Sequence, residues 1–405
     1  MNRIISTFAF LLISFFIYGF YISQFELNVI PRKVKTSDLY YDYRLTMNIH
    51  TNLSIGSEPL SVILAQAKRA ENKLIMITDL DPQLKSPNDN YLQQIGVLQG
   101  AKYSYKDARL IYYSSTEQKN LGLKQGESQL MMSDLLTQES AKNTDTLLIM
   151  AHPYLKNFSW AGEIPSGLDG IEIANLKSLS QHSWNYSRIS TIWSILLYPF
   201  NQQLALMRLF QEPTEEIDLF DQTSQKRHFV AFQGAEASAR AVPLADFLVK
   251  FPSYERVLSV ASNHLLLTSE LTGDIRDDKL KIISALKKGQ FYISFDALGD
   301  PRGFEAYIFD EKSQTKLPMG SQLSFNDTKK IYFKLPGEPT AFYEVVLYKN
   351  GERVDTLNTF EGVFNLRGKG TYRIQVRISP RLPLPDAIKW LTWIYTNNFY
   401  VTEPK

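Results

Sequence analysis

The sequence predicts a three-part chain: an apolar membrane-anchor helix, an α/β body of mostly parallel strands, and an all-β C-terminal sandwich. Three observations predict it. No charged residue occurs between Ile4 and Phe25. From about residue 45 to 290, short apolar runs alternate with helical patterns, the signature of strands joined by crossover helices. Beyond Gly289 the runs become aromatic and partly alternating, and no long helical pattern appears.

The first segment is assigned to residues 1–25. Its apolar run is long enough to cross a hydrocarbon layer of about 30 Å as a helix. Tyr18 and Tyr21 sit toward one end, where interfacial aromatics belong. A cleaved signal peptide is the alternative, but its apolar run would be roughly 7–15 residues and would finish in a small-x-small site. Here the run ends Tyr21-Ile-Ser-Gln-Phe25, which favours an uncleaved, single-pass anchor. Orientation has two opposed signals. Arg32, Lys33 and Lys35 follow the span and only Arg3 precedes it, which pulls the C-terminal side toward the cytoplasm. A span that begins the chain acts as a signal anchor and pulls the other way, so an extracytoplasmic body is expected. Residues 26–44, with Pro31 and mixed charge, read as a stalk.

The body follows over residues 45–290. Pro59 to Asn72 reads as a helix with Ser57 as its candidate cap. Leu74–Ile77, Thr146–Ala151 and Gly170–Ala174 read as short buried strands. The apolar stretch Ile192 to Phe210 is interrupted by Pro199, Asn201, Gln202, Gln203 and Arg208, so it reads as a packed helical hairpin and not a second span. Residues 291–405 form the sandwich, with strands expected around residues 291–295, 304–309, 331–335, 343–348, 371–378 and 393–395. Asn350-Gly351 marks a hairpin turn, because both residues tolerate positive φ.

Composition bounds the chemistry. The 405 residues are enough for two or three folded units, and 44% hydrophobic content supplies sizeable cores. Lys plus Arg (44) against Asp plus Glu (42) gives a net charge of +2, which argues against a nucleic-acid binder. The absence of cysteine excludes disulfides, thiolate metal sites and a thiol nucleophile. Only five histidines remain: His50, His152, His182, His228 and His264. In parallel α/β folds the working residues stand at the C-terminal ends of strands. His50, Asp79, His152, Glu172 and Glu236 each lie in or just after an apolar run, which points to one cleft.

The spacing of these residues carries a resemblance. Asn48-Ile-His50-Thr51 is followed by Ser54-Ile55-Gly56, then by Thr78-Asp79-Leu80 after an apolar strand. Ala151-His152-Pro153, Gly170-Ile-Glu172-Ile-Ala-Asn175 and Gly234-Ala-Glu236-Ala-Ser238 follow in that order. Over roughly residues 45–290 this series resembles the PHP (polymerase and histidinol phosphatase) family of metal-dependent phosphoesterases. The resemblance implies a distorted (βα)7 TIM-like barrel with two or three divalent metals at the strand ends.

The departures fall on the implied metal ligands. Asn48, Ile55, Leu80 and Ser238 stand where the family has His, Asp, His and His, and Lys102 stands at the family's bridging Glu. His50, His152 and Glu236 remain as a possible single-metal set for zinc, manganese or iron. Asp79 and Glu172 read as supporting groups. An ammonium at Lys102 would repel a metal and neutralise Glu236 and Asp79 in its place. Each residue also has a plainer reading. His152 before Pro153 could cap a strand, Asp79 and Glu172 could bond backbone amides, and Glu236 could pair with Arg240. His182, His228 and His264 lie in polar or loop-like contexts and receive no role.

Two function classes follow. The first is a membrane-anchored, non-catalytic binding or scaffolding protein without cofactor, its partner a protein or a small phosphorylated ligand. The second is a hydrolase of phosphoesters with one divalent metal on His50, His152 and Glu236.

Overall fold

The computed structural model describes residues 2–27, 29–30, 39–80, 89–115, 126–139, 145–244, 247–383 and 389–403, excepting the side chains of residues 2 and 240–251. Helix α1 (Asn2–Ser23) carries the N-terminal apolar run. Its segment Arg3–Ser23 is long and apolar enough to cross a membrane.

Strand β1 (Tyr41–Ile49) pairs in parallel with β2 (Leu74–Ile77) through the intervening α2 (Leu60–Arg69). The helix caps on Pro59 without a side-chain bond, so Ser57 is not its cap. The short β3 (Asn90–Leu92) lies antiparallel on β4 (Ile95–Gln99), which pairs in parallel with β2. A second sheet then runs β5 (Ala101–Ser104), β6 (Arg109–Ser114), β7 (Thr146–Met150), β8 (Gly170–Asn175) and β9 (Val230–Gly234). Its first three strands are antiparallel and its last three parallel.

Six helices lie among these and the following strands: α3 (Gln129–Glu139), α4 (Leu176–Tyr186), α5 (Arg188–Leu197), α6 (Gln202–Arg208), α7 (Thr214–Lys226) and α8 (Tyr254–Val260). The stretch Ile192 to Phe210 is the expected hairpin, formed by α5 and α6. Between α7 and α8, β10 (Arg240–Leu244) and β11 (Phe247–Phe251) pair as a small two-stranded sheet. Strand β12 (Ser262–Leu267) returns antiparallel on β1, and α9 (Ile275–Lys288) leads to β13 (Phe291–Ser294) beside β12.

The distorted TIM-like barrel expected for the body does not appear as a closed barrel among the described residues: β1–β4, β12 and β13 lie in one sheet, β5–β9 in a second and β10–β11 in a small third. The connection between β5 and β6 is four residues, and only an antiparallel pair can be joined so briefly, since a parallel pair needs a crossover of a dozen or more residues. On the other flank, a single parallel bridge, Ile49 with Ala237, joins β1 to the chain after β9.

The C-terminal quarter contains two layers, antiparallel except for one parallel edge pair. One consists of β14 (Glu305–Asp310), β15 (Thr315–Pro318), β17 (Lys329–Lys334) and β20 (Glu361–Asn365). The other contains β18 (Phe342–Lys349), β19 (Glu352–Leu357), β21 (Gly370–Ser379), β22 (Leu391–Thr396) and β23 (Phe399–Thr402), with β16 (Gln322–Ser324) on its edge. Asn350 (φ 53°) and Gly351 (φ 87°) turn β18 into β19 as expected. Strand β13 pairs with β12 on one side and with β22 on the other, so one twelve-stranded sheet runs through the whole chain. A buried Arg373 guanidinium on β21 adds two bonds, 2.8 and 2.7 Å, to Asp221 of α7.

The stalk expectation also changes. Residues 41–44 already belong to β1, and residues 31–38 lie outside the described residues. Leu27, Val29 and Ile30 are buried in the main core, and Val29 bonds backbone to backbone with Leu298 and Thr340. Residues 27, 29 and 30 are therefore packed against the body.

Candidate functional site

Two irregular strands aim the cleft residues. The pairing of β1 with β2 slips register between Thr46 and Ile49, and Asn48 within the slip has φ 59°. The pairing of β8 with β9 slips between Glu172 and Ala174. Bulges of this kind re-aim side chains. His152 (φ 34°) and Glu236 (φ 48°) are also left-handed, a region that costs non-glycine residues energy and recurs at functional sites. Two glycines permit the close approaches. A Cβ on Gly234 would overlap the Glu172 carboxylate, and one on Gly56 would overlap the His50 carbonyl.

Five of the six expected residues converge directly, and Asp79 supports them from beside His50. All six are buried. Lys102 Nζ donates to Glu236 Oε2 at 2.5 Å and to Asn48 Oδ1 at 3.2 Å, and stands 3.5 Å from His50 Nε2. His50 Nε2 lies 3.8 Å from Glu236 Oε1, and His152 Nε2 lies 3.9 Å from Glu236 Oε2. Glu172 accepts from Asn48 (2.8 Å), from Asn175 (2.7 Å) and from the His152 backbone amide (3.2 Å). Asp79 accepts from the Thr51 amide (2.8 Å), the Thr51 hydroxyl (2.6 Å) and the Ser54 hydroxyl, and so holds the loop after β1.

The hub is Asn48, which the sequence reading treated only as a missing histidine. Its amide donates to Glu172 and to Glu236, both at 2.8 Å, and its carbonyl accepts from Lys102 and Thr78. A signal was present: asparagine tolerates the left-handed conformation better than most residues, and here it ends a strand. Asn175 was likewise missed as a link. It caps α4 while bonding Glu172.

Electrostatics follow from this packing. Burial works against ionising Glu236, but the Lys102 ammonium and the two histidines hold its carboxyl well below the ordinary carboxylate range. Glu172 is pushed up to about 7, chiefly by burial, with Lys102 opposing. His152 is pushed down to about 3 by burial and then by Lys102, and His50 is lowered for the same two reasons beside Glu236's opposing pull. Neither ring nitrogen of His152, nor Nδ1 of His50, has a hydrogen-bond partner.

A divalent ion does not fit this arrangement. Lys102 Nζ already lies on Glu236 and beside His50, two of the three donors such an ion would use. Among the described residues, no group of three or more His, Asp or Glu side chains is placed to hold a metal. Glu236 bonds Lys102; the side chain of its alternative partner Arg240 lies outside the described residues.

Glu236 also lines a cavity of about 310 Å³ between α4, α6 and α8. Leu179, Met207, Phe210, Val257 and Phe295 supply much of its apolar lining, and Ile55 and Ser238, two of the exchanged positions, also line it. The volume lies at the low end of the range of about 300–1,000 Å³ typical of small-ligand sites.

His264 is corrected too. It stands in mid-strand on β12, its ring between Asp42 (2.7 Å) and Asp296 (3.1 Å), stacked on Tyr292. His182 on α4 bonds Glu216 at 3.1 Å, and His228 faces the Lys288 carbonyl at 3.3 Å.

No family model and no curated protein matches the chain. Solved structures do. A two-domain protein of Bacteroides vulgatus containing a predicted PHP-like metal-dependent phosphoesterase is similar over 91% of this chain and 98% of its own, at 10% identity and a TM-score of 0.38. PsfC of Pseudomonas syringae is similar over 59% of this chain and 88% of its own, at 12% identity and a TM-score of 0.33. A Bifidobacterium adolescentis protein, proposed to be a metal-dependent phosphoesterase, is similar over 55% of this chain and 97% of its own, at 10% identity and a TM-score of 0.27.

Proposed function

We propose that the chain is a membrane-anchored, PHP-like binding protein whose cleft uses a lysine ammonium where the family uses metals, and that it does not hydrolyse phosphoesters. One observation carries this reading: Lys102 Nζ sits on Glu236 between Asn48 and His50. The ammonium neutralises the carboxylate that a cation would otherwise require. Two like unit charges about 4 Å apart repel by roughly 4 kcal/mol at a typical effective dielectric, and a divalent ion would double that. The cavity beside Glu236 is the ligand site in this reading. Its lining suits a small molecule with an apolar body and one polar group directed at Glu236 and Ser238. Anchoring by α1 belongs to the same proposal and is supported by the length and apolarity of Arg3–Ser23. A body outside the cytoplasm is part of the proposal as well, on the ground that a span beginning the chain acts as a signal anchor.

A second reading keeps hydrolysis with one metal on His50, His152 and Glu236. The approach of both histidines to within 3.9 Å of Glu236 favours it, but Lys102 must then leave the carboxylate. A phosphatase screen across added zinc, manganese and iron separates the two, run beside a His50→Ala, His152→Ala double variant. The binding reading expects equal, background rates in both proteins. Activity in the parent that the double variant loses would overturn it.

A further inference from the structure

Helix α5 has its polar and apolar faces reversed for a surface in water. Its buried positions include Thr191 and Ser194, whose hydroxyls donate to the Ser187 and Ser190 carbonyls, both at 3.0 Å. Its outward positions are Arg188 at the first turn and then Ile189 (82% exposed), Ile192 (48%), Ile195 (47%) and Leu196 (49%). Ten residues are too few to span a bilayer, so this face needs another apolar neighbour.

That neighbour is indicated by where α5 sits. Trp193 of α5 and Phe200 pack against the later turns of α1, with ring centroids 5.9 Å (Phe15–Trp193), 5.7 Å (Tyr18–Trp193) and 5.4 Å (Phe15–Phe200) apart. Gly19 allows the approach, since a Cβ there would meet the Phe200 ring at 2.5 Å. Ile22, Leu197 and Leu204 share one buried cluster. Asn201 fastens the junction. Its amide donates to the Ile22 and Phe25 carbonyls at the end of α1, and its carbonyl caps α6 through the Leu204 amide. The outward face of α5 therefore continues the apolar surface of α1. Trp184 and Tyr186 are exposed just before α5, with the Arg188 guanidinium 5.8 Å from the Trp184 ring, a pattern suited to a membrane–water boundary.

We infer that α5 is a second membrane contact: an interfacial helix that lays Ile189, Ile192, Ile195 and Leu196 into the bilayer surface beside α1. Its apolar side enters about 5–10 Å, the depth usual for such helices. The body then stands against the membrane in one orientation, with α6, a wall of the ligand cavity, directly behind the contact. This inference rests on the reading of α1 as an anchor.

The cysteine-free chain allows a direct test. Single cysteines at Ile192→Cys, Leu12→Cys in α1 and Val363→Cys on the exposed side of β20 are spin-labelled in the full chain in phosphatidylcholine vesicles. Accessibility to lipid-soluble oxygen is compared with that to a water-soluble nickel complex. The inference expects oxygen to dominate at residues 12 and 192 and nickel at 363. Nickel dominance at 192 with oxygen dominance at 12 overturns the inference and leaves the anchor standing. Protection of 192 from both reagents means a protein partner covers α5, and also overturns it. Nickel dominance at residue 12 overturns the anchor reading and this inference together.

Discussion

Two buried polar clusters flank the same strand, β1, and they are built differently. On one side, His264 has both ring nitrogens bonded to carboxylates, and Arg44, Ser262 and Tyr292 complete the partners of Asp42 and Asp296. On the other, Lys102 and Asn48 bind the carboxylates while neither ring nitrogen of His152 has a hydrogen-bond partner. Native interiors rarely leave a buried polar ring unpaired without a reason. In the His264 cluster the ring and both carboxylates are satisfied, although Arg44 Nε has no partner. The Lys102 cluster keeps unused hydrogen-bonding capacity, which is what a site for a ligand requires.

The contrast breaks most visibly at Lys102. Lys102→Ala leaves Glu236 charged, largely enclosed and without its cation, and is expected to cost about 3–5 kcal/mol in chemical denaturation. A Lys102→Met, Glu236→Gln double variant removes both charges and should recover most of that loss. A cost for Lys102→Ala below about 1 kcal/mol would mean the pair is not formed.

A matched pair of substitutions sharpens the comparison. His264→Asn removes a charged group from two carboxylates and should cost about 3 kcal/mol, whereas His152→Asn breaks no hydrogen bond, keeps a residue tolerant of left-handed backbone, and should cost under about 1 kcal/mol. The pH dependence runs in opposite directions. Burial lowers His264, but Asp42 and Asp296 outweigh it and raise the ring to about 9. Its stabilisation is complete below the unfolded value of 6.5 and is lost as pH rises to 9, about 3 kcal/mol at roughly 1.4 kcal/mol per unit. His152, lowered to about 3, takes up its proton more readily when unfolded, so it lowers stability as pH falls from 6.5 toward 3. Melting curves of the two Asn variants should each lose one of these slopes, and parent-like slopes in both would refute the assignments.

What the sequence disclosed, and what it hid, divides along the same physical line. Apolar runs such as Leu74–Ile77, Thr146–Met150 and Gly170–Asn175 announced buried strands because their burial is local in sequence. The five motif fragments placed the cleft residues together because each stands at a strand end. The role of Asn48 as hub stayed hidden, since it depends on a register slip and a left-handed φ, which only pairing with β2 reveals. His264 was misread because its strand is polar at Ser262, Asn263 and His264, and only the acids of distant elements explain a histidine there. The sheet running through β13 was invisible for the same reason: strand order is set by long-range pairing. The reversed faces of α5 needed a structure to show which side points inward.

The central claim is that a lysine ammonium takes the place of metal in this cleft. Its most direct measurement is the metal content of the purified full chain after equilibration with zinc, manganese and iron and removal of the unbound ions. The account predicts substoichiometric metal, unchanged in a His50→Ala, His152→Ala double variant. One or more ions bound per chain, and lost in that variant, would contradict it.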